Sequence, residues 1–264
     1  MNPSTSSHGR CTLVGAGPGD PELLTIKAVK ALGAATLIFA DDLVSDGVLA
    51  HASPAARIVH VGKRGGCKST PQAFIEKSMI AAVKAGEHVV RLKGGDPFIF
   101  GRGGEEVEHL RQAGIEVTVI NGITAGLAGM TALGAPLTHR DHAHGVVLVT
   151  GHAQPGDRGT DWRQLACTAR QAKLTLVIYM GVSGAAHIQN ELLTGLGADT
   201  PVAIIQNASL PHQREALTTL GELSATIEAQ GLQSPSVIVV GDVVQGALEW
   251  SAATQVHQAK SQYF

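Results

Sequence analysis

Short apolar runs alternate along the chain with stretches of mixed polarity that are long enough to form helices. Five runs in the first half predict strands at Thr12–Ala16, Thr36–Ala40, Arg57–Val61, His88–Leu92 and Glu116–Ile120. A second series predicts strands at Gly145–Thr150, Leu174–Tyr179, Val202–Gln206 and Ser236–Gly241. Strands that alternate with helices predict an α/β protein with mainly parallel sheets.

The two series of strands predict two domains. A capping residue followed by proline marks helix starts at Asp20-Pro21-Glu22 and at Thr70-Pro71-Gln72. The segment from Gly122 to Gly134 carries no charge, which favours packed structure over a flexible linker, and we place the boundary within residues 123–140. We predict a disordered tail at 1–10, an N-terminal α/β domain over residues 11–125, a C-terminal α/β domain over residues 126–250, and a C-terminal tail at 251–264.

Composition narrows the functional classes. Of the 264 residues, 44% are apolar and 16% are charged, and the net charge is −2, which argues against a cationic nucleic-acid-binding protein. No apolar run reaches the ~18 residues of a membrane span, and the first ten residues lack the apolar segment of a secretory signal. The three widely spaced cysteines fit reduced thiols rather than a disulfide framework or a zinc site. We therefore expect a cytoplasmic protein with neither nucleic acid nor membrane as a partner.

A glycine loop follows the first predicted strand and suggests a nucleotide-binding fold. Gly15, Gly17 and Asp20 occupy the three glycine positions of the G-x-G-x-x-G pattern, and Asp41 or Asp42 lies near the distance expected for a ribose-binding acid. The third glycine is missing, and Pro18 removes an N–H that a pyrophosphate would need. A ligand without phosphate fits this loop better, although a nicotinamide-dependent oxidoreductase stays open as an alternative.

Longer motifs are more specific than this loop. They are VGAGPGDPELLT (Val14–Thr25), VGKRGG (Val61–Gly66), VVRLKGGDPFIFGRGGEE (Val89–Glu106), NGITAG (Asn121–Gly126), GAPLTHR (Gly134–Arg140), VTGH (Val149–His152), TLVIYMG (Thr175–Gly181) and VIVVGDVV (Val237–Val244). In this order and without large gaps, they resemble the uroporphyrinogen III C-methyltransferases of the tetrapyrrole methylase family, in their stand-alone form.

The resemblance implies two α/β domains with a cofactor cleft between them, usually in a homodimer. It implies that S-adenosyl-L-methionine methylates uroporphyrinogen III at carbons 2 and 7, giving precorrin-2 through precorrin-1 and leaving S-adenosyl-L-homocysteine. The product would feed sirohaem or cobalamin-type synthesis. No metal is expected, because the leaving thioether is already neutral. Another precorrin methyltransferase of the same fold stays open as an alternative.

The resemblance also implies which residues form the sites. The expected cofactor-binding residues are Pro18, Gly94, Gly95, Asp96, Ile99, Thr124, Ala125, Met180 and Ala208. Close backbone approach suits the two adjacent glycines, hydrogen bonding to the cofactor's amine or ribose suits Asp96, and apolar walls suit Ile99 and Met180.

A substrate with eight carboxylates calls for basic residues, and arginine is the natural clamp. The resemblance implies Arg64, Arg102, Arg140 and Met180 for substrate binding and Arg102, Glu105, Asp41, Lys63 and Arg140 for catalysis. Two assignments for proton transfer stay open, namely Arg102 alone, or Asp41 as acceptor with Lys63 as donor.

Three positions depart from the family's usual residues. Asp42 replaces an arginine, Asn121 replaces a proline, and Ala208 replaces a glycine. A backbone contact by Ala208 requires a negative φ. The cluster of His139, Asp141, His142 and His144 resembles a metal site only superficially, because a divalent ion serves no step of methyl transfer.

Overall fold

The computed structural model describes residues 9–62, 71–153, 156 and 158–247. The chain divides into two compact units, the first ending at Thr124 and the second beginning at Ala125. Each unit contains a five-stranded sheet with helices. The predicted α/β class is therefore confirmed.

The first unit contains strands β1 (Arg10–Gly15), β2 (Leu37–Ala40), β3 (Arg57–His60), β4 (His88–Lys93) and β5 (Val117–Ile120). Its helices are α1 (Ile26–Ala34), α2 (Asp46–Leu49), α3 (Gln72–Lys84) and α4 (Gly103–Gln112). The strand order is β3-β2-β4-β1-β5, and every pair is parallel. Apolar clusters cover both faces, as a parallel sheet requires.

The second unit contains β6 (Gly145–Thr150), β7 (Leu174–Tyr179), β8 (Pro201–Gln206), β9 (Arg214–Thr219) and β10 (Ser236–Val240). Its helices are α5 (Ala125–Ala132), α6 (Trp162–Ala172), α7 (Ala185–Leu192) and α8 (Leu223–Gln230). The order is β6-β7-β10-β8-β9. Only the β6–β7 pair is parallel among these described strands, because β10 runs against both β7 and β8, and β9 runs against β8.

Several sequence expectations need correction. Strand β9 was not predicted, because its sequence, REALTT, lacks an apolar run and most of its residues are not buried. The predicted tail 1–10 is wrong at its end, since Arg10 already pairs with His88 in the sheet. Residues 1–8 and 251–264 of the predicted tails lie outside the described residues.

The two predicted helix starts are also shifted. Asp20 caps only a single turn, Pro21–Leu23, by accepting a 2.9 Å hydrogen bond from the Glu22 N–H. Leu24 is extended, so α1 begins after Thr25, whose Oγ1 accepts from the Ala28 N–H at 3.1 Å. Helix α3 begins at Gln72, directly after Pro71. The uncharged segment after Gly122 is packed as expected, since it contains α5.

Among the described residues, no helix combines the length and the apolar character needed to cross a membrane.

Candidate functional site

The carboxyl ends of the parallel strands in the first unit bring three loops together. The loop after β1 pairs with the loop after β4, because Gly17 and Gly95 exchange backbone hydrogen bonds of 3.2 and 2.7 Å. The loop after β5 packs against both, and a Cβ on Gly122 would lie 2.2 Å from the Gly95 carbonyl oxygen. Ligands of open α/β sheets bind outside this edge.

Glycine is required at these contacts for steric reasons. A Cβ on Gly15 would lie 2.4 Å from the Gly122 nitrogen, and a Cβ on Gly94 would lie 2.8 Å from the Leu43 Cβ. Gly95 has a φ of 66°, in the left-handed region that favours glycine. The predicted glycine pair therefore sits where the backbone must turn and pack closely, and Gly122 is an addition that the NG dipeptide of NGITAG could have signalled.

The carboxylate of Asp96 joins two of the loops. Its Oδ1 accepts from the Phe98 N–H at 2.8 Å, and its Oδ2 accepts from the Asn121 side chain at 3.0 Å and from the Gly122 N–H at 3.1 Å. Only 7% of the residue is exposed. Asn121, where the resemblance implies a proline, thus contributes a hydrogen bond that proline could not donate.

The loop between Asp96 and α4 is held in an unusual backbone conformation. Phe100 and Arg102 have φ values of 53° and 57°, which non-glycine residues seldom adopt. Such conformations cluster at functional sites. Arg102 precedes α4, and its Nη2 lies 2.5 Å from the Glu105 Oε2 on an exposed surface. This hydrogen bond is the main cause that raises the pKa of Arg102 and lowers the pKa of Glu105.

Four charged side chains lie together in the first unit, although the sequence did not predict that they meet. Arg91 and Lys93 are on β4, Glu106 is on α4, and Asp41 directly follows β2. The Arg91 guanidinium contacts the Asp41 Oδ1 at 2.5 Å and the Glu106 Oε1 at 3.0 Å, and the Lys93 Nζ lies 3.2 Å from the Glu106 Oε2. We refer to these four residues as the charge cluster.

The placement of two basic residues, Arg91 and Lys93, within a predicted strand is the feature of the sequence that could have indicated this cluster. Arg91 and Lys93 are two residues apart, so they face the same side of the sheet, and β4 is central, so both are buried. Buried charges require partners. Burial, and then the charge of Arg91, lower the pKa of Lys93 against the attraction of the two carboxylates. Burial alone would lower the pKa of Arg91, but Asp41 and Glu106 outweigh it and raise that pKa.

The remaining predicted residues of the first unit lie at the same edge. Pro18 is in the loop after β1, Ile99 is in the loop after β4, and Thr124 follows β5. The side chain of Asp42 is exposed and lies against Gly62, where an added Cβ would be 2.2 Å from the Asp42 Cγ. Lys63 and Arg64 lie outside the described residues.

The second unit places two of its four predicted residues, Met180 and Ala208, at the carboxyl ends of β7 and β8. Met180 follows β7 with a φ of 54° and is 46% exposed. Ala208 follows β8 and is buried, and the left-handed φ values fall on its neighbours Asn207 (54°) and Ser209 (68°) rather than on Ala208 itself. The condition for replacing glycine by Ala208 is therefore met.

Ala125 and Arg140 lie elsewhere in the second unit. Ala125 is the first residue of α5, whose next residue, Gly126, donates a 3.0 Å hydrogen bond to the Tyr179 hydroxyl. Arg140 is exposed in a turn that is closed by two 2.9 Å hydrogen bonds between His139 and Ala143. Among the described residues, no group of three or more His, Cys, Asp or Glu side chains is arranged to hold a metal ion.

A cavity of about 420 Å³ opens at the opposite edge of the second sheet, near Arg170, Lys173 and Asp199. None of the predicted site residues lines it. We place the candidate site at the carboxyl ends of the strands because the buried charges and the strained loop lie there.

Comparisons with known proteins identify the family of this chain. Residues 10–224 match the family described as Tetrapyrrole (Corrin/Porphyrin) Methylases. The chain is 53% identical to the uroporphyrinogen-III C-methyltransferase of Pseudomonas aeruginosa, over 90% of this chain and 95% of that protein.

Two solved structures have the same fold. The uroporphyrin-III C-methyl transferase from Thermus thermophilus, complexed with S-adenosyl homocysteine, is 40% identical with a TM-score of 0.75, covering 90% of this chain and 99% of that one. A cobalt precorrin-4 methyltransferase is 26% identical with a TM-score of 0.80, covering 90% and 97%. The family match and these identities, together with the glycine-rich edge of the first sheet, show that the chain belongs to the tetrapyrrole methylase family.

Proposed function

We propose that this protein is an S-adenosylmethionine-dependent C-methyltransferase that acts on uroporphyrinogen III. The observation that carries the proposal is the 53% identity to a uroporphyrinogen-III C-methyltransferase over 90% of the chain. Fold similarity alone does not decide between the possible substrates. The cobalt precorrin-4 methyltransferase has a higher TM-score than the uroporphyrin-III C-methyl transferase, 0.80 against 0.75, although its sequence identity to this chain is lower. The proposal includes methylation at carbons 2 and 7, giving precorrin-2 through precorrin-1.

The glycine-rich edge of the first unit suits a cofactor that lacks phosphate. Pro18 has no N–H to donate, and the Gly17–Gly95 pairing uses backbone donors that a pyrophosphate would need. The family match to methylases agrees with this and displaces the nicotinamide alternative.

We assign the cofactor to the residues that the resemblance implies. They are Pro18, Gly94, Gly95, Asp96, Ile99 and Thr124 in the first unit and Ala125, Met180 and Ala208 in the second. The absence of side chains at Gly94 and Gly95 would let a ligand approach the backbone closely, while Asp96 holds the loops in place. S-adenosylmethionine supplies the methyl group on a sulfonium.

We assign substrate binding and proton transfer mainly to charged side chains. Arg64, Arg102 and Arg140 would bind substrate carboxylates together with contacts from Met180, and Glu105 orients Arg102 through their hydrogen bond. Asp41 would accept the proton that the macrocycle loses after methylation, with Lys63 as donor. In support, Asp41 is the member of the charge cluster whose side chain is 29% exposed, whereas those of Arg91, Lys93 and Glu106 are 3%, 4% and 0% exposed.

The decisive experiment is methyl transfer from labelled S-adenosylmethionine to uroporphyrinogen III under anaerobic conditions. We expect two methyl groups per macrocycle, located at carbons 2 and 7 by mass spectrometry and NMR. Label in a precorrin but not in uroporphyrinogen III would favour the alternative, a later enzyme of the same fold. No transfer to either substrate would contradict the proposal.

Asp96→Ala tests the cofactor assignment. Removing the carboxylate leaves the Phe98 and Gly122 N–H groups without their partner, and each lost charged hydrogen bond costs about 1.5–3 kcal/mol. We expect binding of S-adenosylhomocysteine, measured by calorimetry, to weaken more than tenfold. Asp199→Ala, in the cavity of the second unit that none of the predicted site residues lines, serves as the control and should bind normally.

A homodimer in the cytoplasm completes the proposal, as the resemblance and the composition imply. Light scattering coupled to size-exclusion chromatography should give twice the mass of 27.3 kDa. A monomer at micromolar concentration would contradict the dimer.

A further inference from the structure

The charge cluster is built around a carboxylate that the proposed reaction does not use. Glu106 is fully buried and accepts hydrogen bonds from three side chains: the Gln72 Nε2 at 2.8 Å, the Arg91 Nε at 3.0 Å and the Lys93 Nζ at 3.3 Å. A carboxylate removed from water is costly unless such donors compensate it. Two of these partners, Arg91 and Lys93, also contact Asp41, so the cluster runs from the interior of the unit to the candidate site.

The two carboxylate oxygens of Asp41 have different surroundings. The Arg91 Nη2 contacts Oδ1 at 2.5 Å, while Oδ2 faces the Lys93 Nζ at 3.8 Å, beyond hydrogen-bonding distance. The Arg91 Nη1 is held in turn by the carbonyl oxygens of Phe39 and Leu92, both at 3.3 Å. One oxygen is therefore fixed in place, and the other is the better placed to accept a proton.

Two cations and two carboxylates balance within the cluster. Loss of Glu106 would leave Asp41 beside two positive charges, and loss of Lys93 would leave two carboxylates sharing Arg91. A charge within about 4–6 Å changes the proton affinity of a carboxylate, in the direction set by its sign. The two losses therefore have opposite effects on Asp41.

We propose that Lys93 and Glu106 are positioning residues that fix the Asp41 carboxylate and control its protonation. This inference rests on the proposed role of Asp41 as proton acceptor. In that step the C–H bond of the newly methylated, cationic macrocycle breaks and its electron pair stays in the macrocycle. The proton forms an O–H bond at Oδ2 of Asp41, and the macrocycle becomes neutral.

Other ionisable groups face the cluster from the surrounding elements. Cys11 on β1 lies close enough for Glu106 and Arg91 to affect its pKa. His60 ends β3 in register with Ala40, and Asp42 follows Asp41. Arg102 precedes α4, and Glu105 lies in its first turn. These groups stay the same in all the variants below, so they do not explain a difference between them.

The test measures the titration of Asp41 directly. The Cγ chemical shift of labelled aspartate, assigned with Asp41→Asn, is followed against pH in Lys93→Met, in Glu106→Gln and in the double variant. We expect the Asp41 midpoint to rise by about one pH unit in Lys93→Met. It should fall in Glu106→Gln and return close to the wild-type value in the double variant. Glu87→Gln, which removes a carboxylate from the exposed Arg57–Glu87 pair of the same unit, should leave the midpoint unchanged.

A purely structural role for Lys93 and Glu106 would destabilise the protein without opposite changes of the midpoint. Equal midpoints, or changes in the same direction, would overturn the inference. If the single variants do not fold, the charge-balanced double variant decides: we expect a wild-type midpoint with kcat reduced at least tenfold and KM unchanged, and full turnover would overturn the inference.

Failure of the proposed function would look different. If the wild-type protein does not methylate uroporphyrinogen III, the function is wrong, and the titrations still decide whether Lys93 and Glu106 control Asp41. If the wild type is active and the midpoints do not respond, the function stands and the inference fails.

Discussion

Each unit places predicted site residues at the carboxyl ends of strands, but the two units build those sheet edges differently. In the first unit the edge holds buried charged side chains, including Arg91, Lys93 and Asp96, and glycines that pack backbone against backbone. In the second unit it carries left-handed residues at Met180, Asn207 and Ser209. Within the described residues, buried charged side chains occur only in the first unit.

This difference separates two kinds of chemical capacity. A buried cluster of charges can hold a carboxylate in one orientation and control a proton, because its members are fixed by burial and by each other. A strand end with left-handed backbone presents an exposed side chain, such as Met180, at a defined angle. These surroundings fit the proposed roles, which are proton transfer in the first unit and apolar and backbone contacts with a ligand in the second.

The largest effect is expected from a substitution that disrupts the close contact between Gly122 and Gly95 in the first unit. In Gly122→Ala the new Cβ would lie 2.2 Å from the Gly95 carbonyl oxygen, so the loops must separate. We expect a loss of about 1–3 kcal/mol in the free energy of unfolding, and no measurable binding of S-adenosylhomocysteine. Gly104→Ala is the matched control, because a Cβ on Gly104 meets nothing within 4 Å. Wild-type binding by Gly122→Ala would show that the loops are not held by this contact.

Next is the exposed arginine at the start of α4. Arg102→Ala should lower methyl transfer at least tenfold, about 1.4 kcal/mol in the transition state, while binding of S-adenosylhomocysteine changes little. Stability should also change little, because exposed ion pairs contribute at most about 1 kcal/mol. Arg163→Ala removes a similar pair, with Glu191, from the second unit and should leave turnover unchanged. Full turnover by Arg102→Ala would remove Arg102 from the substrate site.

A pH-dependent effect is expected at Cys11, which lies beside the charge cluster. Burial, and then the charge of Glu106, raise its pKa from 9.0 to about 12. Between these values the folded protein keeps the thiol proton and the unfolded chain has lost it, so stability falls as pH rises. The slope from this thiol approaches about 1.4 kcal/mol per pH unit.

Urea unfolding at pH 8 and pH 10 tests the expectation for Cys11. The stability advantage of the wild type over Cys11→Ala should shrink at the higher pH. Cys167, in the second unit, is exposed, so Cys167→Ala should show the same difference at both values. An advantage over Cys11→Ala that does not depend on pH would mean that the thiol is not shielded from solvent.

The smallest effect concerns the backbone of the second unit. Because Met180 has a left-handed φ of 54°, Met180→Gly should be more stable than Met180→Ala by about 1 kcal/mol. Both variants should bind S-adenosylhomocysteine more weakly, because both lose the exposed side chain. Ala208→Gly should lower stability, because Ala208 has no left-handed φ that glycine would relieve. Thermal unfolding with and without ligand measures both effects.

Much of the first sheet could be predicted from sequence because its strands are continuous apolar runs. The bounds of β1 and α1 were off by a few residues, since pairing of Arg10 and the extended Leu24 depend on neighbours in space. Strand β9 could not be found, because a half-exposed strand that pairs only with β8 needs no apolar run. The roles of the site residues remain proposals.

By itself the sequence determined the α/β class, the glycine loop that is unsuited to phosphate, and the motifs that resemble the tetrapyrrole methylases, because these depend on residue order and local geometry. Only the tertiary structure decided that Arg91, Lys93 and Glu106 meet Asp41. Their positions along the chain are up to 65 residues apart, as counted from Asp41 to Glu106. Strand β2 lies parallel beside β4, and α4 packs on the same unit, so these side chains are removed from water together. Each buried charge is therefore compensated by the opposite charges of the others.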